Sequence, residues 1–330
     1  RAAARAVAAE LLAAGSPGED SARRRALAGA HPDLTWVTPS GAHEILVSDI
    51  DSPVVSAASK TPFESSRRVF VVESVDELGD EAANRMLKTL EEPAAYVHLI
   101  LLTDRVGEVL PTIRSRCQLV RFEAASADAV AGGLEATGVD RRTAMTCARL
   151  SLGDAERARA LASEDGVALR AAAEAYARAA LAGEASRSRP WLPLLAAVRA
   201  QGEVTRAELE SRASAELELY PSKDRKRLET EWSERIRRSR RRVETVTLDL
   251  ALQLVALWYG DLALLAWDAE DLVRHLDRRA QLDADLGAAP GVLRTAVELV
   301  EDTRLRFQLN VSEELACEAL AYRLEHVLAG

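Results

Sequence analysis

The stretch that most constrains this chain is 69–117, which reads VFVVESVDELGDEAANRMLKTLEEPAAYVHLILLTDRVGEVLPTIRSRC. Arg68–Val72 is a short β-branched run, too short for a helix and typical of a buried parallel strand. It runs into Glu73, Ser74, Val75, Asp76 and Glu77, so acidic groups sit at the strand's C-terminal edge. That edge is where ligands bind in open α/β sheets. Gly79 and Asp80 stop the turn and cap a helix whose apolar face is Ala82, Ala83, Met86, Leu87 and Leu90. Pro93 ends that helix. Residues 97–102 give a second buried strand with Thr103 and Asp104 at its tip, and a short helix carrying Val109, Leu110 and Ile113 delivers Ser115-Arg116-Cys117 to the surface. Strand, helix and strand in this order predict an α/β unit with a parallel sheet.

Residues 83–93, ANRMLKTLEEP, match almost letter for letter the long-helix motif of bacterial replicative clamp loaders, and Ser115-Arg116-Cys117 matches that family's Ser-Arg-Cys motif at its spacing. The chain therefore resembles the AAA+ subunits that open the sliding clamp for the DNA polymerase III holoenzyme. The resemblance implies a nucleotide-binding α/β fold over 1–123, a small helical lid over 124–172 and a helical collar over 173–330 that holds loader subunits together. It also implies gamma/tau and delta subunits as partners, the sliding clamp as an indirect one, and primer-template DNA met through the complex.

An active member of that family carries Asp-Glu after the strand, one carboxylate for Mg²⁺ and one to polarise the attacking water. Here the aligned pair is Glu73-Ser74. Glu73 is one methylene longer than the family's Asp, and Ser74 is no carboxylate base. A plain polar turn is the other reading of this segment. The departure favours the delta-prime branch, the loader's non-hydrolysing member, over the gamma/tau motor; an active gamma/tau-like ATPase is the alternative. The resemblance assigns Arg116, with Ser115 and Cys117, as an arginine finger offered to a neighbour's ATP, and gives Thr103 and Arg157 sensor-like positions. For Arg116 the competing reading is a helix-ending ion pair with an acid such as Glu108. For Arg157, within Gly153-Asp154-Ala155-Glu156-Arg157-Ala158, it is a surface charge on a helix capped by Asp154.

Residues 1–12, RAAARAVAAELL, read as an Ala-rich helix, and no Gly-x-x-x-x-Gly-Lys-[Ser/Thr] loop occurs in the sequence. In the family this helix follows the phosphate loop, so the expectation is a chain lacking its first strand and that loop, with no cofactor assigned. The family's zinc module would follow, ahead of Gly29-Ala30-His31-Pro32-Asp33. Residues 13–21 contain no cysteine, and zinc needs four Cys or His ligands at close spacing. The module reads as shortened to a Gly/Pro/Ser/Asp loop, with no metal expected and His31 as a turn or packing residue.

Aromatic residues make up only 4% and Cys117, Cys147 and Cys317 are scattered, which argues against a disulfide scaffold and fits a reducing, cytoplasmic setting. No apolar run is expected to span a membrane, and no signal-peptide pattern is visible. The net charge of -9 gives no global drive towards DNA.

After Phe122 the strand signals nearly vanish. Helices are expected at 127–136, 141–150 and 155–162, then a bundle. Leu192, Leu194, Leu195 and Val198 form a short stripe; 208–242 is strongly charged and interrupted near Tyr220-Pro221. Residues 243–268 carry Leu248, Leu252, Val255, Leu262 and Leu265 at helical spacing, broken for membrane purposes by Asp249, Gln253 and Asp261. The last two helices, 293–307 and 312–328, join at Asn310-Val311-Ser312, where residues 309–315 resemble the family's C-terminal pattern. Arg235, Arg237, Arg238, Arg240, Arg241 and Arg242 crowd one segment. Flanking Glu229, Glu231, Glu234 and Glu244, with no interleaved aromatic, favour a salt-bridged helix over a phosphate-binding one.

Overall fold

The computed structural model describes residues 1–16, 18–41, 44–218, 222–307 and 311–329. The chain divides into two compact units, Arg1–Arg121 and Phe122–Gly330.

The first unit holds α1 (Ala2–Ala13), α2 (Glu19–Leu27), β1 (Leu34–Val37), α3 (Val47–Ile50) running into a π-helical turn Asp51–Ser56, β2 (Arg68–Val72), α4 (Asp80–Glu91), β3 (Val97–Leu101) and α5 (Pro111–Arg114). The three strands form one parallel sheet in the order β1-β2-β3, with Leu34 opposite Val69 and Arg68 opposite Val97. Side chains alternate across a strand. Phe70 and Val72 of β2 therefore face Ile50, Val54 and Met86, while Val69 and Val71 face Ala4, Ala8 and Leu12 of α1. All four are fully buried, each stabilising by roughly 1.5–3 kcal/mol if exposed otherwise. Small alanines on α1 let that helix lie close to the sheet.

Both expected strands are present. Three elements were not legible beforehand: β1, only four residues long; α3 with its π-helical turn; and α2, which begins at Glu19 inside the segment read as a loop, after Gly18 at φ 85°. In a helix this short and polar, burial of Ala22 and Ala26 supplies what periodicity does not announce.

Among its described residues the second unit has helices and connecting turns but no strand: α6 (Ala127–Glu135), α7 (Arg141–Leu150), α8 (Ala155–Ala162), α9 (Glu164–Leu181), α10 (Ala185–Ser188), α11 (Trp191–Glu218), α12 (Ser222–Ala266), α13 (Arg279–Ala284), α14 (Pro290–Arg306) and α15 (Glu313–Ala329). Ser126, Asp140, Asp154 and Ser163 cap α6 to α9 by accepting backbone N–H bonds. α9 carries the chain unbroken across residue 172, and one core joins residues on both sides of it. α12 likewise runs unbroken through 242–243. Tyr220, Pro221, Leu309 and Asn310, on which the expected breaks fall, lie outside the described residues. In the short stripe Leu194, Leu195 and Val198 are buried, but Leu192 is 44% exposed and faces outward.

By length and composition α12 contains a stretch apolar enough to cross a membrane, contrary to the expectation that none would. That stretch is 61% buried within the unit, and Leu248, Leu252, Val255, Trp258, Tyr259 and Leu262 form the centre of the bundle. Its polar interruptions are cross-ties. Asp249 accepts a bidentate pair from Arg304 of α14 at 2.8 Å, and Gln253 accepts from Arg157 of α8 at 3.1 Å. Asp261 accepts from the backbone N–H groups of Arg274 and His275 at 2.8 Å.

The α8–α9 corner makes a specific demand. Ser163 ends one helix and caps the next, and Gly166 sits so close to α8 that a Cβ there would lie 2.0 Å from the Ala160 carbonyl oxygen. That neighbour is backbone and cannot rotate away. Gly166→Ala is expected to cost about 1–3 kcal/mol through overpacking, read as a lowered thermal midpoint in circular dichroism. An unchanged midpoint would mean the corner relaxes freely.

Candidate functional site

β2 ends at Val72, and Ser74 adopts the left-handed conformation (φ 53°, ψ 47°), an uncommon geometry for a residue other than glycine. The kink lets Val75 N–H donate to the Leu102 carbonyl at 3.0 Å and turns the acidic segment across the C-terminal ends of β2 and β3. Glu73 is buried, with 5% exposure. Its carboxylate accepts from the Trp36 indole N–H at 2.7 Å and pairs with the Arg1 guanidinium at 2.8 Å. Arg5 stacks over the other side of this corner, 4.9 Å from the Trp36 ring centre. Glu73 is thus held within the chain by Arg1, the N-cap of α1, and by Trp36 of β1.

Asp76 is the second inward carboxylate, its side chain 1% exposed. It accepts from the Thr103 hydroxyl at 2.6 Å and pairs with Arg105 at 2.6 Å. Thr103 Oγ1 in turn accepts the Arg105 backbone N–H at 2.9 Å. Burial works against the Arg105 charge, but Asp76 and Glu108 outweigh it and hold its pKa above the usual value. Thr103, expected from sequence to be sensor-like, thus bonds inside the strand-tip network. Sequence reasoning passed over Asp76 and Arg105; an acid four residues past a strand end, opposite a Thr-x-Arg at the next strand end, was the available signal.

Arg116 follows α5. Its Nε donates to Glu91 Oε1 at 2.8 Å, a second nitrogen meets the same oxygen, and a third donates to the Thr112 carbonyl at 2.8 Å and to Ser115 Oγ at 3.3 Å. The side chain is one-third exposed. The partner proposed from sequence was wrong: Glu108 is taken by Arg105 at 2.9 Å, and Glu91, at the end of the α4 motif helix, holds Arg116. Cys117 is exposed; Cys147 and Cys317 are buried. Arg157 lies in the second unit, where its guanidinium donates to Gln253 of α12 at 3.1 Å.

The Gly-Ala-His-Pro-Asp segment has a structural task. Asp33, fully buried, accepts the backbone N–H groups of Phe63, Glu64 and Ser65 at 2.6, 2.9 and 2.9 Å. Burial opposes its charge, but these three donors prevail and hold its pKa below the usual value. His31 Nδ1 accepts the Asp33 N–H at 3.1 Å, and Nε2 lies 3.1 Å from Glu64 Oε1. Burial lowers the His31 pKa, with Arg25 adding to it and Glu64 opposing. This pair fastens the loop before β2. Because the folded pKa of Asp33 is depressed, its contribution is present above the unfolded value of about 3.9 and is lost as pH falls through the folded one. Asp33→Asn is expected to cost about 1–3 kcal/mol near neutrality and to flatten acid destabilisation in urea titrations below pH ~4. Equal acid sensitivity in wild type and variant would refute the role.

Residues 2–126 match the family described as DNA polymerase III, delta subunit. Over the first unit the chain is similar to delta-prime-like clamp-loader subunits. The delta-prime subunit of DNA polymerase III from Pseudomonas aeruginosa is 36% identical over 105 residues, 32% of each chain. That of Bacillus subtilis is 36% identical over 100 residues, 30% of each chain. The gamma subunit from Buchnera aphidicola (subsp. Schizaphis graminum) is 42% identical over 57 residues, 17% of this chain and 16% of that one. The matched stretches thus cover about a third or less of these relatives' own length. A solved structure of a gamma subunit-related protein from Thermotoga maritima aligns with 92% of this chain and 88% of that chain, at 16% identity and a TM-score of 0.40. In the first unit, the strand-tip network around Glu73 and Asp76 and the Arg116 held by Glu91 are the two clusters of paired charged groups described above.

Proposed function

We propose that this chain is the non-hydrolysing, delta-prime-like subunit of a bacterial sliding-clamp loader, an AAA+ fold that acts on a neighbour's nucleotide. The observation that carries the reading is the strand tip. Ser74 stands where a catalytic carboxylate is needed, and Glu73 and Asp76 are each already paired with an arginine of the same chain. A general base must reach its proton with a free lone pair; neither carboxylate is so disposed. Arg116 supplies the complementary part, a planar fork at the surface, oriented by Glu91. The helical unit, Phe122–Gly330, supplies the lid and collar roles together, since α9 crosses the expected boundary at residue 172. The partners are gamma/tau and delta subunits, with the clamp and primed DNA met through the assembled complex, in the cytoplasm.

The short gamma and tau matches make a motor-like subunit the second reading, and Ser74 counts against it. One reconstitution separates the two. The chain is mixed with gamma/tau and delta subunits and followed by size exclusion, and ATP turnover is measured for it alone and in the complex. Co-elution with turnover only in the complex is expected. Turnover by the chain alone, lost on Glu73→Gln, would establish the motor; failure to co-elute would overturn loader membership.

A further inference from the structure

We propose that α12 carries a second, separate binding site, a nucleic-acid backbone site at Arg235, Arg237 and Arg238. Among the described residues from 203 to 243, Ala213 is the only buried one, so α11 and α12 expose a long solvated stretch there. Five of the six clustered arginines divide into two kinds. Arg240 pairs with Glu203 and Glu244, each at 2.9 Å, and Arg241 pairs with Glu313 at 2.9 Å; these fasten α12 to α11 and α15. Among the described residues no carboxylate lies in ion-pair range of Arg235, Arg237 or Arg238. Glu231, which the sequence offered as a neutralising neighbour, is engaged by Arg227 at 2.8 Å. Glu234 is the one acid within 234–238, against three arginines.

Three guanidinium groups within about one helical turn repel one another, and no structural pair compensates them. The Nε of Arg238 is buried without a hydrogen-bond partner. Arg235 stacks over Trp232, 4.8 Å from its ring centre, so an aromatic flanks the cluster, although none interleaves within it. The segment 235–242 contains arginine and no lysine. Planar forks match phosphate oxygens in pairs, and a stacked indole beside them is the platform that unpaired bases use. An acidic protein segment would satisfy the charge but has no use for that platform. The site is independent of the Arg116 reading.

The test uses the full chain and fluorescein-labelled oligonucleotides, single-stranded and duplex, followed by anisotropy across a salt series. Wild type is expected to bind with a salt-dependent affinity. The triple variant R235A/R237A/R238A should bind roughly tenfold or more weakly, with the log–log salt slope reduced by about 2–3. A control with the same charge loss at Arg187, Arg199 and Arg294 should bind as wild type. Circular dichroism checks that all three fold alike. Stronger binding to single strands supports the Trp232 platform, and Trp232→Leu should then remove that preference. No binding by wild type, or equal loss in the control, overturns the proposal. Retention of DNA by the triple variant with loss of a poly-glutamate probe overturns it in favour of an acidic protein partner.

Discussion

Replacing Arg116 by alanine in an assembled loader is expected to silence one ATP site while leaving the subunit folded and bound. An always-charged planar fork suits the charge that builds on a transferring phosphoryl group, and an arginine supplied in trans is worth about 10³–10⁵ in rate where it has been measured in GTPases. Total turnover falls by less, because other sites continue. The cost to folding is small. Arg116 is one-third exposed and its ion pair with Glu91 is a surface pair, worth about 0–1 kcal/mol. Arg116→Lys should not restore the rate, since an ammonium loses the fork that spans Glu91 and the Thr112 carbonyl. Glu91→Gln provides the finer test. It removes the charge that orients the fork while keeping its shape, so the site should weaken without vanishing. Clamp loading and ATP turnover at the wild-type rate by the Arg116→Ala complex would exclude the finger.

The features legible in the sequence were those with a period or a cap. β2 and β3 announced themselves by β-branched runs, and α8 by its cap at Asp154. β1 was hidden because Leu34-Thr35-Trp36-Val37 is too short to show alternation and is only half-buried at the sheet's edge. The site was legible as a set of positions but not as a set of partners. Glu73 and Ser74 were read as a degenerate catalytic pair, yet what disposes of Glu73 is Trp36, distant in sequence, and Arg1 at the start of the chain. Arg116 was offered Glu108 by sequence proximity, whereas the fold supplies Glu91 from the preceding helix. Pairings of this kind depend on how helices pack on the sheet, which no local spacing encodes.

The same lesson gives the largest expected effect on stability, at Asp261. From sequence it was a charge that spoiled an apolar helix. In the fold it is fully buried and accepts four donors: the backbone N–H groups of Arg274 and His275 and the His275 Nδ1, each at 2.8 Å, and the Arg274 guanidinium at 2.9 Å. Burial alone would raise its pKa. The His275 ring and the two backbone donors outweigh that and hold it below the usual carboxylate value. Asp261→Ala leaves the buried His275 ring and two N–H groups without their acceptor. Breaking a buried pair in this way costs about 3–5 kcal/mol. Asp261→Asn keeps one acceptor oxygen and should cost less. Because the folded pKa is depressed, the wild-type advantage is present above about pH 3.9 and disappears as pH falls through the folded value. Urea titrations of wild type and both variants across that range measure it directly. The second unit's transition should shift most for Asp261→Ala near neutrality, and the gap to wild type should narrow with acid. A shift under about 1 kcal/mol at neutral pH would mean that the 274–275 turn finds other acceptors, and that α12 is held by its apolar face alone.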